Sequence, residues 1–258
     1  MKSNITDILN ACGIKNIGFC DFNLIKNRLL DCRAKNRLPQ NAKTVIMCAF
    51  PYKVNEQPPE FLSRYAAVAD YHIICTEMLG AASRILKEKY PQNAFEHFCD
   101  NSPIPEVYAA AASGIGVKGD NGLLITKKYG SFVFLGEIVT DLELSCQNNY
   151  GECLHCGKCS AACPVSLEKS ICLSNISQKK KVSDSELQTL KAHKILWGCD
   201  ICANICPMNK NAKTTDIEFF KNGYRNTYTA DEDSKDRPYT WRGDAGIKRN
   251  YENLKKQL

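Results

Sequence analysis

The sequence predicts a two-part fold of mixed α+β and α/β class, with an N-terminal α/β domain followed by a small, cysteine-rich domain. Residues 1–145 alternate short, β-rich apolar runs with a stretch of helical periodicity. From Cys146 onward cysteine, glycine and asparagine dominate and apolar runs disappear, and beyond about residue 210 the chain is polar. We therefore expect an α/β domain (1–145), a cysteine-rich domain (146–210) and a polar C-terminal tail (211–258).

Local patterns predict the individual elements. Four apolar, β-rich runs predict strands: TVIMCAF (44–50), FEHFC (95–99), GLLIT (122–126) and SFVFLGEIV (131–139). The KKYG segment between the last two supplies a turn signal, so these strands are expected to form a hairpin. Helical spacing of apolar residues over 59–89 predicts one long amphipathic helix, or two, ending before Pro91. Ser183 followed by Glu186 is a capping-box signal for a helix within 183–197 that leads to Cys199.

The composition bounds the class of protein. The chain has 258 residues, of which 44% are hydrophobic and 24% charged, and its net charge is +6. No apolar stretch approaches the roughly 18 residues of a spanning helix and no secretory signal is evident, so a cytoplasmic, non-membrane protein is expected. The mild positive charge is compatible with an RNA partner. Fifteen cysteines in such a chain indicate metal or redox cofactors rather than disulfides.

The run CLHCGKCSAACP (153–164) has the spacing C-x2-C-x2-C-x3-C-P. This is the ligand pattern of bacterial ferredoxins, in which three thiolates hold one [4Fe-4S] cluster and the fourth holds a second cluster. Four cysteines at this spacing fit such a cluster better than a zinc site. The spacing therefore predicts a ferredoxin-like domain with two [4Fe-4S] clusters.

A second run, WGCDICANICP (197–207), repeats the spacing of the last three cysteines of this pattern, with Leu196 in the missing first position. Two clusters need four thiolates each, and Cys172, between the runs, completes the count. The expected ligands are Cys153, Cys156, Cys159 and Cys206 for the first cluster and Cys163, Cys172, Cys199 and Cys202 for the second. The alternative is that Cys172 is a thiol beside a three-cysteine cluster with an open iron. The scattered cysteines at 12, 20, 32, 48, 75, 99 and 146 are expected mainly to fill the core.

GIGVKG (114–119) matches the G-x-G-x-x-G pattern, but its context does not fit a dinucleotide site. That fingerprint follows a strand and opens a helix. Here an alanine-rich helix (about 105–113) precedes the glycines and the GLLIT strand follows them. The glycines are expected to allow a tight helix-to-strand loop or the close approach of a flat ligand.

Asp100 is the candidate acid of the α/β domain. It follows the FEHFC strand and begins a proline-bearing turn into a helix. An aspartate there is either an N-cap or a catalytic group, and the residues alone leave both open. A second polar group lies in the predicted long helix and comprises Arg64, Tyr65, Asp70, Tyr71 and His72.

Several segments together resemble the epoxyqueuosine reductase family, which are cobalamin-dependent, double-[4Fe-4S] enzymes of tRNA modification that are distantly similar to reductive dehalogenases. The matching segments are RYAAVADYH (64–72), DNSPIPE (100–106), SGIGVKGDNGLLI (113–125), YGSFVFLGEIVTDLEL (129–144) and the two cysteine runs with Cys172. The resemblance covers roughly residues 60–210 in the family's order, and it marks the chain as a short, divergent member. Departures occur at Val107, where the family usually has arginine, and at Asp120 in the glycine loop.

The resemblance implies a function and a cofactor set. Cobalamin would be bound base-off and reduced through the clusters, and Asp100 would donate a proton, aided by a raised pKa beside the cofactor. Candidate cofactor-binding residues lie in the matching segments: Tyr65, Asp70, Tyr71, His72, Ser102, Gly116 and Gly119. The implied reaction removes the epoxide oxygen of epoxyqueuosine in tRNA, with electrons from an external low-potential donor of ferredoxin or flavodoxin type. The chain is expected to act as a monomer.

Two other functions are compatible with the sequence. The chain could be a non-catalytic, ferredoxin-type electron-transfer protein, or a corrinoid reductase acting on a different substrate. Retention of Asp100 and of the Asp70–His72 segment favours an enzyme, while the departures at Val107 and Asp120 put the substrate in question. Binding of cobalamin distinguishes an enzyme from a simple electron carrier.

Overall fold

The structure is a computed structural model and describes residues 1–146, 151–230, 235–241 and 243–255. The chain divides into two compact units. Unit 1 comprises Met1–Pro51 and Tyr71–His155, and unit 2 comprises Tyr52–Asp70 and Cys156–Leu258. Among the described residues, no helix combines the length and the apolar character needed to span a membrane.

Helices and strands alternate in unit 1, whereas the regular elements described in unit 2 are helical. In chain order the strands are β1 (Asn16–Asp21), β2 (Thr44–Pro51), β3 (Phe95–Phe98), β4 (Gly116–Lys118), β5 (Leu124–Thr126) and β6 (Val133–Thr140). The α-helices are α1 (Lys2–Ala11), α2 (Arg64–Ala67), α3 (Tyr71–Lys89), α4 (Glu106–Ala112), α5 (Lys158–Ala162), α6 (Leu173–Gln178), α7 (Asp184–Ala192), α8 (Ile201–Asn204), α9 (Glu218–Asn222) and α10 (Ala245–Lys255). The chain therefore has the predicted mixed α/β character.

Unit 1 contains a four-stranded antiparallel sheet in the order β1-β2-β6-β3 and a separate antiparallel pair, β4-β5. The four predicted strand runs all form strands. The predicted hairpin between 122–126 and 131–139 is wrong, because β5 pairs with β4, while β6 lies between β2 and β3. An isolated bridge between Thr126 and Gly130 closes the turn locally, but the long apolar β6 is taken up by the main sheet.

Alanines allow α4 to pack directly on the sheet. Ala109, Ala110 and Ala112 are almost fully buried and share a core cluster with Val45 and Val139 on the two central strands. A residue without a long side chain lets a helix backbone approach a sheet closely, so the alanine-rich sequence fits this layer. This packing fixes α4, and with it the segment that links β3 to α4.

The predicted helical stretch 59–89 forms two helices, α2 and α3, which end before Pro91 as expected. The break lies at Val68–Asp70, where Val68 adopts an extended conformation. Asp70 and Tyr65 therefore do not share one helix with His72. The predicted capping box is present, because the Ser183 and Glu186 side chains exchange hydrogen bonds with each other's backbone N–H groups.

Part of the segment predicted as a polar tail contributes to the core of unit 2. Ile247 and Leu254 on α10 are buried with Trp197 and Tyr239 in one hydrophobic cluster. Asn250, also on α10, is 1% exposed and donates to the carbonyls of residues 177 and 196, at 2.9 Å each. The tail interpretation missed this helix because α10 is largely polar and buries a narrow apolar stripe.

Candidate functional site

Asp100 lies in a tight turn directly after β3. Its φ angle is +65°, a left-handed conformation that aspartate tolerates better than most residues. The Asn101 N–H donates to the Cys99 carbonyl at 2.9 Å, and the Ser102 N–H donates to the Asp100 carbonyl at 2.7 Å. The N-cap of α4 is Pro105, without a side-chain cap, so the N-cap interpretation of Asp100 is wrong. Its carboxyl group is not used to begin the helix.

The first turn of α3 places two aromatic side chains beside Asp100. His72 Nε2 lies 3.2 Å from Asp100 Oδ2. Tyr71 stacks on the His72 ring at a centroid distance of 4.1 Å and on Phe134 of β6 at 4.0 Å. Since Phe134 belongs to the central sheet, the stack ties the orientation of His72 to the rigid part of unit 1.

The pKa of Asp100 lies below its usual range. The main cause is the hydrogen bond from His72, with a further hydrogen bond from the Tyr71 side chain, while burial acts in the opposite direction. In this structure the donors that stabilise the charged form of Asp100 outweigh desolvation. Asp100 is therefore ionised at neutral pH. The raised pKa that the resemblance implies concerns a carboxyl group beside bound cobalamin, and it stays a prediction.

The structure gathers some of the predicted cofactor-binding residues but not all. Tyr71, His72 and Ser102 surround Asp100 in unit 1, whereas Tyr65 and Asp70 belong to unit 2. Contact with a cofactor stays a prediction for each of them.

Gly116 and Gly119 have a local structural explanation. A Cβ atom at Gly116 would lie 2.5 Å from the Ile125 carbonyl oxygen across the β4-β5 pair, and one at Gly119 would lie 2.5 Å from Asn121 Oδ1. The β4-β5 pairing therefore requires a small residue at Gly116, whereas at Gly119 the nearest atoms are side-chain ends of Asn121 and Ile125. As predicted, a helix precedes this segment and a strand follows it, which is the inverse of a dinucleotide-binding loop.

Three predicted ligands of the second cluster lie near one another in unit 2. Cys172 and Cys202 both act electrostatically on Cys199, and the pKa of the Cys199 thiol is raised to about 12, chiefly by burial in the absence of a metal. Helix α5, which carries Cys159, packs against α8, which carries Cys202. The Cys163 sulfur accepts the Leu167 N–H at 3.3 Å, a geometry typical of backbone wrapped around sulfur. The 15 cysteines all lie in the described ranges and form no disulfide.

Cys153, predicted for the first cluster, belongs to unit 1 and lies beside two residues that the sequence analysis did not assign to a site. His155 Nδ1 lies 2.9 Å from Asp120 Oδ1. The ligand atoms of Asp120, Cys153 and His155 all lie within 4.8 Å of one another. Asp120, which departs from the family pattern, is thus paired with a histidine inside the first cysteine run.

Comparison with known proteins identifies the chain's relatives. Residues 33–101 match the family described as epoxyqueuosine reductase QueG, DUF1730. The epoxyqueuosine reductase of Listeria monocytogenes is 28% identical over 81% of this chain and 65% of its own length. That of Cyclobacterium marinum is 31% identical over 71% of this chain and 64% of its own length.

By sequence, the chain resembles the epoxyqueuosine reductases, as predicted. A crystal structure of epoxyqueuosine reductase with a tRNA-Tyr epoxyqueuosine-modified stem loop superposes with a TM-score of 0.82 at 22% identity. That match covers 98% of this chain and 80% of the other, and it shows that the two share a fold. The chain spans somewhat under two thirds of the length of the two curated relatives.

The match to the epoxyqueuosine reductase family includes the whole His72–Asp100 arrangement, since both residues lie within 33–101. Sequence reasoning missed two groups next to it. Glu137 is 0% exposed on β6, and Glu106 at the start of α4 has a solvent-inaccessible Oε1. The sequence features that could have indicated these two acids are the glutamate inside the apolar run SFVFLGEIV and the glutamate that ends DNSPIPE.

Proposed function

We propose that this chain is an oxidoreductase that reduces epoxyqueuosine to queuosine in tRNA, using cobalamin and two [4Fe-4S] clusters. The observation that carries the proposal is the position of Asp100, whose partly exposed carboxyl group is held by His72 within the segment that matches the family. The tRNA substrate is favoured by the family resemblance and by the net charge of +6.

The donor chemistry in unit 2 fits a [4Fe-4S] cluster. Cys172, Cys199 and Cys202 are grouped, and such thiols become good ligands once a metal makes them ionise. We assign Cys163 as the fourth ligand of this second cluster. For the first cluster we keep Cys153, Cys156, Cys159 and Cys206. The ferredoxin-like character of the 146–210 segment is part of the same proposal.

Bound cobalamin would supply the strongly reducing cobalt centre at which the epoxide carbon–oxygen bond is broken. The residues proposed to hold it are those from the matching segments: Tyr65, Asp70, Tyr71, His72, Ser102, Gly116 and Gly119. Among these, Tyr71 and His72 offer hydrogen-bonding groups beside Asp100, whereas Gly116 is already accounted for by strand pairing.

Asp100 delivers the proton that accompanies loss of the epoxide oxygen. Reduction of an epoxide to an alkene and water consumes two electrons and two protons. The electrons come from an external low-potential donor, Asp100 delivers one proton and solvent supplies the other. Because the resting carboxyl group is ionised, the proton passes from His72 through the 3.2 Å contact as negative charge develops on the substrate oxygen. Exposure of 58% of the Asp100 side chain leaves the carboxyl accessible to that oxygen.

The test is turnover by anaerobically reconstituted protein loaded with cobalamin and supplied with a reduced ferredoxin or flavodoxin. Nucleosides from epoxyqueuosine-containing tRNA are then analysed by mass spectrometry, and queuosine is the expected product. Asp100→Asn is expected to lower turnover by roughly a hundredfold or more with unchanged iron content. Asp7→Asn, at an exposed position on α1, is the matched control and should turn over like the parent.

Absence of queuosine would overturn the substrate assignment. If the protein also takes up two clusters without binding cobalamin, an electron-transfer protein becomes the better description. If it binds cobalamin without producing queuosine, it is a corrinoid reductase for another substrate.

A further inference from the structure

Glu137 is a fully buried acid in the central strand of the main sheet. It lies on β6 opposite Met47 of β2 and Phe98 of β3. Phe98 is the last residue of β3, so Glu137 lies across from the point where the chain turns toward Asp100. An acid at such a position costs stability unless it is neutral or paired, which indicates a role beyond packing.

Ser102 connects Glu137 to the Asp100 turn. Its hydroxyl donates to Glu137 Oε1 and accepts the Ile104 N–H at 3.0 Å. Its own N–H donates to the Asp100 carbonyl at 2.7 Å. The Ser102 side chain therefore links the Asp100 turn to β6 and to the backbone of Ile104, which precedes α4.

Glu106 is the second acid of the group. Neither Glu106 Oε1 nor Glu137 Oε2 has a hydrogen-bond partner among the described residues, although both atoms are buried. Burial raises the pKa of both carboxyl groups, and repulsion between the two raises the pKa of Glu106 further. A proton on one of these carboxyl groups removes the charge repulsion and supplies a donor.

Among the described residues, the groups that interact electrostatically with Glu137 include no cation. Cys48 on β2, Cys99 after β3 and Glu106 on α4 interact with it electrostatically, and each disfavours a second negative charge. Glu96 and His97 on β3 interact electrostatically with Lys87 and Arg37. Glu137 is not among the groups that shift their pKa values. Ser102 is the group whose hydrogen bond favours the charged form of Glu137.

We propose that Glu106 and Glu137 form a buried acid pair that holds a proton at neutral pH and, through Ser102, positions the turn carrying Asp100. As a deepening of the proposed function, this makes Glu137 a positioning residue for proton delivery. Loss of the proton at alkaline pH places a second charge in the core and loosens the turn.

The pair is tested first without turnover. Infrared spectra of the reconstituted holoprotein, titrated from acid to alkaline pH, should show a protonated carboxyl band that persists through neutrality and disappears only at alkaline pH. The band should shift or weaken in Glu137→Gln, because Glu106 stays buried and can still carry a proton, and it should be missing when Glu106 and Glu137 are both replaced by glutamine. It should be unchanged in Glu143→Gln, since Glu143 is exposed and paired with Lys43. A parent spectrum without such a band at neutral pH, or a band that survives in the double variant, would overturn the proposal.

The positioning role is tested by the pH profile of turnover. Glu137→Gln keeps an acceptor for Ser102 and cannot ionise, so it should retain activity while the alkaline fall in kcat moves to higher pH. Ser102→Ala breaks the connection and should lower kcat by about tenfold to a hundredfold with little change in KM. An unshifted alkaline limb in Glu137→Gln, or unchanged kcat in Ser102→Ala, would contradict the positioning role. If the parent produces no queuosine, the proposed function fails while the infrared titration still decides the acid pair.

Discussion

Two acidic side chains in unit 1 have opposite protonation states because their partners differ. Asp100 receives hydrogen bonds from His72 and Tyr71, which lower its pKa. Burial raises the pKa of Glu137 to about 8, the Cys99 thiol acts in the same direction, and the hydrogen bond from Ser102 acts against them. The environment rather than the residue type therefore separates a charged carboxylate at the surface from a neutral acid beneath it.

Replacing His72 with phenylalanine tests this at the level of one residue. The change keeps a planar ring for the Tyr71 stack but removes the main donor to Asp100, so the pKa of Asp100 should rise toward the ordinary value of an aspartate. Carbon-13 NMR of aspartate-labelled protein measures the pKa of Asp100, and the spectrum of Asp100→Asn assigns its signal. His193→Phe, exposed at the end of α7, is the control.

The stability of the same variant should depend on pH with a defined sign. Because the folded-state pKa of Asp100 is depressed, its hydrogen bonds stabilise the fold above the unfolded-state pKa, and this contribution disappears as pH falls through the folded-state value. His72→Phe should therefore lose stability relative to the parent at neutral pH and less so in acid. An equal loss at both pH values would rule out the charged hydrogen bond as the cause.

At the level of elements, local patterns predicted which segments are strands and helices but not how the strands pair. The apolar runs at 44–50 and 131–139 were recognisable because the central strands β2 and β6 are buried on both faces. β2 and β6 lie far apart in the sequence, so no local pattern predicts that they pair. The KKYG turn signal before β6 therefore led to the wrong partner, β5. β1 was missed because NIGFCD is short and interrupted by glycine.

The β4-β5 pair gives the prediction at this scale. Gly116→Ala would place a methyl group against a backbone carbonyl, so it should destabilise unit 1 by about 1–3 kcal/mol. Gly80→Ala in α3 is the matched control, because its nearest atom lies 3.5 Å from the new methyl group. That control should be neutral or stabilising by up to about 1 kcal/mol. Urea unfolding measures the free energy of unfolding of the two variants. Equal values would rule out the steric explanation of Gly116.

At the scale of the whole molecule, cysteine spacing predicts a set of cluster ligands that stays a proposal, whereas composition did not reveal that residues 52–70 belong to unit 2. Spacing encodes ligand geometry locally, whereas the assignment of 52–70 to unit 2 depends on contacts with residues distant in sequence, such as the Ser63 N–H donating to the Trp197 carbonyl at 2.9 Å. The buried acids were missed for a similar reason, since only the strand pairing shows that Glu137 has no exposed side.

Cys172→Ala tests whether the ligands converge as proposed. Cys172 lies outside both cysteine runs, yet it acts electrostatically on Cys199, so its loss should remove or convert the second cluster and leave the first. Iron content should then fall by up to about half, or a three-iron signal should replace one four-iron signal in electron paramagnetic resonance. Cys12→Ala, a scattered cysteine at the end of α1, should keep the parent's iron and spectrum. Full iron and unaltered spectra in Cys172→Ala would mean that the second cluster has another ligand or an open iron site. Electron transfer to the substrate would then have to be explained without Cys172.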